Sequence, residues 1–401
     1  MSNIYAALEI GTTRTVLAIG EAESGGRLKV TCHAGIRSAG VRKSNVTDIN
    51  QATQSILSVL HEADRRLLES GSKVTIVNAY LAVSGQHVKI DPATGTAPVD
   101  GKVGDETIDE VVRSARSQFV MPKDRELLDI VDQDYVLDNL GGLSSPRGMA
   151  GRVLKLNTLQ VHGDCNRIQD ARTAAANAHL EITEPLFATG CAADATLEEH
   201  ERRNGVLVLD LGGGSTGYAV YSDGYLLSGG VVGVGGDHVT NDIAHAFQTT
   251  QAQAEQLKTG EASALIGATA GASDRVRIPG ASPLLETRTV SRRALDTVVN
   301  ARLRELFTVI RETLEEQDIL HRLHAGVVIT GGGARMRDID SLIARELGVN
   351  VRLGRPIHVD GFENEEFPPE FATIAGALLY AHRNNEDSSI LDSIFGRFFR
   401  K

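Results

Sequence analysis

Leu209-Asp210-Leu211-Gly212-Gly213-Gly214-Ser215-Thr216 closes one apolar run, Val206 to Leu209, and leads into another, Tyr218 to Tyr221. That pattern predicts a β-hairpin bend and not the strand-to-helix step of a P-loop. Such a bend can set backbone N–H groups against phosphate oxygens, because glycine allows close approach and the N–H groups are fixed dipoles. The same reading recurs at Leu8-Glu9-Ile10-Gly11-Thr12-Thr13-Arg14, set between Ile4 to Leu8 and Val16 to Ile19. Two acidic, glycine-bearing turns predict two similar halves that hold one nucleotide between them. A third cluster, Val327-Val328-Ile329-Thr330-Gly331-Gly332-Gly333-Ala334, follows a buried-looking strand and opens a predicted helix, a suitable seat for the nucleoside. Any one of these bends is more often an ordinary tight turn; their order and spacing carry the inference.

A chain of 401 residues is too long for one core and predicts two large domains, each divided again. Its net charge of −11 argues against general nucleic-acid binding, which needs a basic face. No apolar run reaches membrane-spanning length and no signal-peptide pattern precedes the first strand, so folding in the cytosol is expected. Cys32, Cys165 and Cys191 are widely spaced and form no CxxC pair, which favours reduced, buried thiols over a disulfide or zinc site. His321 and His324 have no neighbouring partners to complete a metal site.

After the first hairpin, Ile49, Ala52, Ile56, Val59, Leu60, Ala63 and Leu67 mark one face of a helix from Asp48 to Ser70, and Gly71 stops it. Val74 to Val83 reads as a strand. Ser84 to about Gly163 breaks the pattern with turn-rich pieces, Asp91-Pro92-Ala93-Thr94-Gly95 and Gly141-Gly142-Leu143-Ser144-Ser145-Pro146, around one helix from Asp105 to Phe119; it reads as an inserted α+β module. In the second half, Gly267 to Ser282 reads as a loose loop and Ser291 to about Gln317 as one long charged helix.

In this order the three glycine segments resemble the phosphate 1, phosphate 2 and adenosine motifs of the actin-like ATPases, a group that includes chaperone ATPases and sugar kinases. Pro185-Leu186-Phe187-Ala188-Thr189-Gly190-Cys191-Ala192-Ala193-Asp194 and Phe371-Ala372-Thr373-Ile374-Ala375-Gly376-Ala377-Leu378-Leu379 are similar to that group's two connecting helices. From residue 5 to the last residue the chain resembles the FtsA family of bacterial cell-division proteins, actin relatives that tie the FtsZ ring to the membrane. Tyr80-Leu81-Ala82-Val83-Ser84-Gly85-Gln86-His87-Val88 is similar to the entry into that family's own extra subdomain. Val234-Gly235-Gly236-Asp237-His238-Val239-Thr240-Asn241-Asp242-Ile243-Ala244 is similar to its loop and helix beside the nucleotide.

The resemblance implies an α/β, actin-like two-domain fold of duplicated ribonuclease H-like halves with an inserted α+β subdomain and a C-terminal amphipathic helix. The expected parts are 1–83 with 164–200 as the first core, 84–163 as the insert, 201–240 with 320–382 as the second core, 241–319 as its smaller subdomain, and 383–401 as linker and membrane-targeting helix. ATP and Mg²⁺ are the implied ligands. Gly11, Thr12, Thr13 and Arg14 would meet the phosphates from one side, and Gly212, Gly213, Gly214, Ser215 and Thr216 from the other. Asp210 would hold the metal through water, with Glu9 as its symmetric partner. Gly235 and Gly236 precede a helix, taken to start at Asp237, whose amino terminus faces the phosphates. Glu255 and Lys258 would hold ribose and base, and Gly331, Gly332, Gly333, Ala334 and Arg335 would cover the adenine. Gly217 stands where many members of the superfamily carry Asp, which favours ATP binding with at most slow turnover, and no catalytic residue or general base is assigned.

Ile390, Leu391, Ile394, Phe395, Phe398 and Phe399 recur at helical spacing on one face, with Arg397, Arg400 and Lys401 towards the other side and the end. Ser389 and Asp392 make a capping box, and the expected role is a peripheral anchor on the anionic cytoplasmic face of the inner membrane. A single short anchor binds weakly, so self-assembly into filaments would strengthen attachment by multivalency. The resemblance further implies that the carboxy-terminal peptide of FtsZ docks near Arg302, and that other division proteins contact the insert. A small-molecule kinase of the same superfamily is the competing reading, and the amphipathic tail discriminates against it.

Overall fold

The computed structural model describes residues 4–23, 27–72, 74–267, 275–278, 287–361 and 368–384. Two sheets repeat one plan. In the first, the antiparallel meander Leu28–Arg37, Arg14–Ala22 and Ile4–Ile10 is extended by the parallel strands Asn78–Val83 and Glu181–Phe187. In the second, Tyr225–Val232, Thr216–Ser222 and Val206–Leu211 are extended by Gly326–Thr330 and Val351–Leu353 in the same order. The register repeats as well. Leu8 faces Leu17 and Glu9 faces Val16, while Leu209 faces Tyr218 and Asp210 faces Gly217. Each acid therefore stands next to last in a largely buried, apolar strand, at the rim of its sheet. A two-residue strand, Val359–Asp360, returns from the second half to pair with Leu28–Arg37 on the outer edge of the first sheet.

Helices cover these sheets for reasons visible in sequence. Ile49–Glu69 starts where the Asp48 side chain accepts from the Gln51 N–H, and buries Ala52, Ile56, Val59, Ala63 and Leu67. Arg292–Glu316 is capped by Ser291 and buries Leu295, Val299, Leu303, Leu306, Ile310 and Leu314. The helix Ala188–Thr196 and the helical residues 372–384 cross between the halves at a point where a Cβ on Gly376 would collide with the Cys191 carbonyl.

The insert is a four-stranded sheet in the order Lys89–Pro98, Val153–Asp164, Arg125–Leu137, Leu140–Leu143, with the helix Asp105–Gln118 packed on it. That helix rests directly on Gly95, where any Cβ would strike Val111 and Ala115 backbone atoms. Two segments expected as turns are strands instead. Asp91 to Gly95 lies within Lys89–Pro98, where Pro92 is tolerated because the strand is at the sheet edge, and Gly141 to Leu143 completes the short opposite edge.

Other boundaries move too. Val74 to Val77 precedes the first ladder pairing, so the strand begins at Asn78. The expected Gly267 to Ser282 loop contains the strand Arg275–Ile278, paired with Arg288–Ser291. Pro185 to Phe187 ends a strand, and the helix after it begins at Ala188. The third glycine cluster opens a 3-10 turn, Gly332–Arg335, with an α-helix only from Ile339. The amphipathic stretch expected at 389–401 lies outside the described residues.

Candidate functional site

The two hairpin turns are built alike. The Gly11 N–H donates to the Arg14 carbonyl at 3.0 Å, and the Gly212 N–H donates to the Ser215 carbonyl at 3.0 Å. A Cβ at either glycine would stand 2.8 Å from that carbonyl oxygen, so both turns require glycine. They meet face to face, since side chains added at Gly213 and Gly214 would run into the hydroxyls of Thr13 and Thr12. Ser44 touches both turns: its N–H donates to Thr12 Oγ1 at 2.8 Å and its hydroxyl shares a hydrogen bond with Ser215 Oγ at 2.9 Å. Lys43 and Ser44 hold this position with φ of 50° and 58°, a left-handed pair at the tip of a tight hairpin.

Behind the turns stand the two acids. Burial, reinforced by the charge of Asp210, pushes Glu9 up to about 8, and burial pushes Asp210 up to about 6 although Thr373 Oγ1 donates to its Oδ2 at 3.2 Å. Neither acid has an ion pair among the described residues, and Arg14 is the cation whose charge opposes the shift of Glu9. Two half-buried carboxylates with no ion-pair partner among the described residues fit a divalent ion. Mg²⁺ takes one or two carboxylates and fills its remaining positions with phosphate oxygens and water, which matches a site of two acids beside two phosphate turns. Gly331, at φ 79°, lets the third glycine cluster close on this point, because a Cβ there would lie 2.5 Å from Asp210 Oδ1.

A cleft of about 550 Å³ runs between the halves and is lined by Glu9, Asp210 and every phosphate-, ribose- and adenine-side residue named from sequence except Gly214 and Ala334. Gly214 is packed against Thr12 and Lys43. The helix beside the phosphates, Gly236–Ala246, starts one residue earlier than expected. Its first N–H groups are already used, Gly236 donating to the Gly212 carbonyl at 3.0 Å and Asp237 to the Gly213 carbonyl at 2.8 Å. That helix end thus fixes the shape of the second turn.

Lys258 and Glu255 form more than a solvated pair. Lys258 Nζ lies 2.6 Å from Glu255 Oε2 and also donates to Thr240 Oγ1 at 2.9 Å and to the Gly236 carbonyl at 3.2 Å. Arg335 is held by Glu370 at 2.8 Å at the mouth. Leu303, Leu306, Met336 and Ile339 supply an apolar wall. Arg302, next to Leu303, is outside the cleft and is already engaged, by both oxygens of Asp242 at 2.6 and 3.1 Å and by Glu305 at 2.6 Å.

Sequence reading missed Ser44 and Thr373, whose contacts join segments 171 and 163 residues apart. It also left Gly217 without a physical account. A Cβ at Gly217 would lie 1.9 Å from the Thr189 hydroxyl, so the connecting helix crowds the place where a carboxylate would stand.

Comparison with known proteins agrees with this geometry. A family profile described as "Cell division protein FtsA" matches residues 207–376, and one described as "SHS2 domain inserted in FTSA" matches 85–162. The chain is 31% identical to the cell division protein FtsA of Pseudomonas aeruginosa over 95% of its own length and 89% of that relative. It is 29% identical to FtsA of Escherichia coli, covering 96% of the chain and 92% of the relative. Among solved structures, a PilM-PilN type IV pilus biogenesis complex superposes with a TM-score of 0.64 at 20% identity, over 93% of this chain and 97% of the other. MreB5 of Spiroplasma citri bound to ADP superposes with a TM-score of 0.53 at 13% identity, over 96% and 98%. These likenesses place the chain in the actin-like fold.

Proposed function

The chain belongs to the FtsA family of cell-division proteins, and on that premise we propose that it is a cytoskeletal adaptor. It binds ATP with Mg²⁺ between its halves, assembles into actin-like filaments on the cytoplasmic face of the inner membrane at the division site, and tethers FtsZ there. The observation that carries the nucleotide reading is the pair of matching turns, Gly11 to Arg14 and Gly212 to Ser215, set beside the half-buried acids Glu9 and Asp210 that line the cleft. Turnover is slow in this reading, because the chain offers no side chain at Gly217 to hold an attacking water.

Attachment belongs to the carboxy-terminal stretch, where Ile390, Leu391, Ile394, Phe395, Phe398 and Phe399 supply an apolar face and Arg397, Arg400 and Lys401 the basic one. No helix among the described residues is long and apolar enough to cross a membrane. For the acidic peptide of FtsZ, Arg302 becomes a receptor only by exchanging Asp242 or Glu305 for a peptide carboxylate. The insert remains the surface for further division proteins.

Electron microscopy of the purified protein on anionic vesicles, with and without ATP, tests the reading beside a variant ending at Asp387. Lipid-bound filaments that require both ATP and the tail are expected. An intact protein that ignores vesicles and stays monomeric with ATP would sink the adaptor and leave small-molecule phosphorylation to be assayed.

A further inference from the structure

The two crossing helices open on the same three residues, Phe187-Ala188-Thr189 and Phe371-Ala372-Thr373. Both threonines are buried, at 0% and 3% exposure. Thr373 Oγ1 donates to Asp210. Thr189 Oγ1 occupies the space into which a Cβ on Gly217 would project, and Gly217 is the cross-strand partner of Asp210. Partners directly across a ladder project from the same face, so the Thr189 hydroxyl stands on the face that carries the Asp210 side chain. Thr189 Oγ1 nevertheless has no hydrogen-bond partner among the described residues. A fully buried hydroxyl left unpaired is costly, and valine would fill the same space without that cost. The position makes sense where a further polar group completes it.

We infer that Thr189 is a positioning residue for the nucleotide's cation: its hydroxyl holds a water of the ion's shell beside Glu9 and Asp210, as Thr373 holds Asp210 itself. The inference rests on the Mg²⁺-nucleotide reading and deepens it. The water accepts from or donates to the Thr189 hydroxyl, and no bond is made or broken. The duplicated Phe-Ala-Thr thus puts one hydroxyl from each half on the cation site.

The test compares Thr189→Val and Thr189→Ser with the unaltered full-length chain, measuring thermal midpoint without ligand and ATP affinity with Mg²⁺ or with EDTA. Thr189→Val should melt at or above the unaltered protein when ligand-free, yet bind Mg²⁺-ATP about fivefold more weakly while its affinity in EDTA is unchanged. Thr189→Ser, which keeps the hydroxyl, should bind Mg²⁺-ATP as the unaltered chain does. Equal Mg²⁺-ATP affinity for Thr189→Val, or a loss that is the same in EDTA, would overturn the inference while leaving the nucleotide reading intact. If the unaltered chain binds no ATP under either condition, the nucleotide reading falls and this inference with it. Should Thr189→Val not fold, Thr189→Ala carries the same comparison.

Discussion

Glu9 shows how much chemistry one rim residue can hold. Burial and Asp210 keep it protonated up to about 8, whereas an ordinary glutamate near 4.5 has lost its proton well below that. Folding therefore takes up a proton: the contribution is fully present below about 4.5 and is lost as pH rises towards 8. Glu9→Gln should flatten the fall of urea midpoints across that window and raise stability at its upper end, and an unchanged pH profile would contradict the assignment. Gly217 gives the opposite lesson, since its neighbour constrains it sterically. Gly217→Ala should cost about 1–3 kcal/mol by overpacking against Thr189, and combining it with Thr189→Ala should restore part of that loss in a double-mutant cycle. Glu9 and Asp210 were legible in sequence because each ends an apolar run at a glycine. Ser44 and Thr373 were not, because their partners come from distant segments and a hydroxyl carries no periodic signal, and the place of Thr189 behind Gly217 emerges only in the fold.

Among the elements, long amphipathic helices were read nearly to the residue: Ile49–Glu69 and Arg292–Glu316 carry caps and an unbroken apolar face. Segments that depart from their own propensity were misread. Pro92 and Gly95 look like a turn, yet the first tolerates a sheet edge and the second makes room for the backbone of Asp105–Gln118. Close approach also governs the crossing helices. Gly376→Ala would drive a methyl group into the Cys191 carbonyl and should destabilise by roughly 3 kcal/mol, measured by urea denaturation. Gly260→Ala, at the end of Gln251–Gly260 with open space around it, should instead be neutral or stabilising by up to about 1 kcal/mol. Equal effects at the two glycines would show that backbone propensity, and not the crossing, controls them.

At the scale of the molecule, the two halves were legible from two turns alone, since a duplicated acidic hairpin implies a duplicated sheet. The strand Val359–Asp360, which ties the second half back to the first sheet, was not, because two edge residues make no pattern. That strand, the crossing helices and the Ser44–Ser215 bond join the halves around the cleft. A ligand gripped by both turns therefore adds its binding energy to the joined structure. At a free concentration a hundredfold above Kd, Mg²⁺-ATP should raise unfolding free energy by about 2.7 kcal/mol. Calorimetry should show the whole unfolding endotherm moving together, with a smaller shift in EDTA and for Asp210→Asn. If only part of the endotherm moved, a single half would be holding the ligand, and the second turn would be a structural echo of the first, without a phosphate to bind.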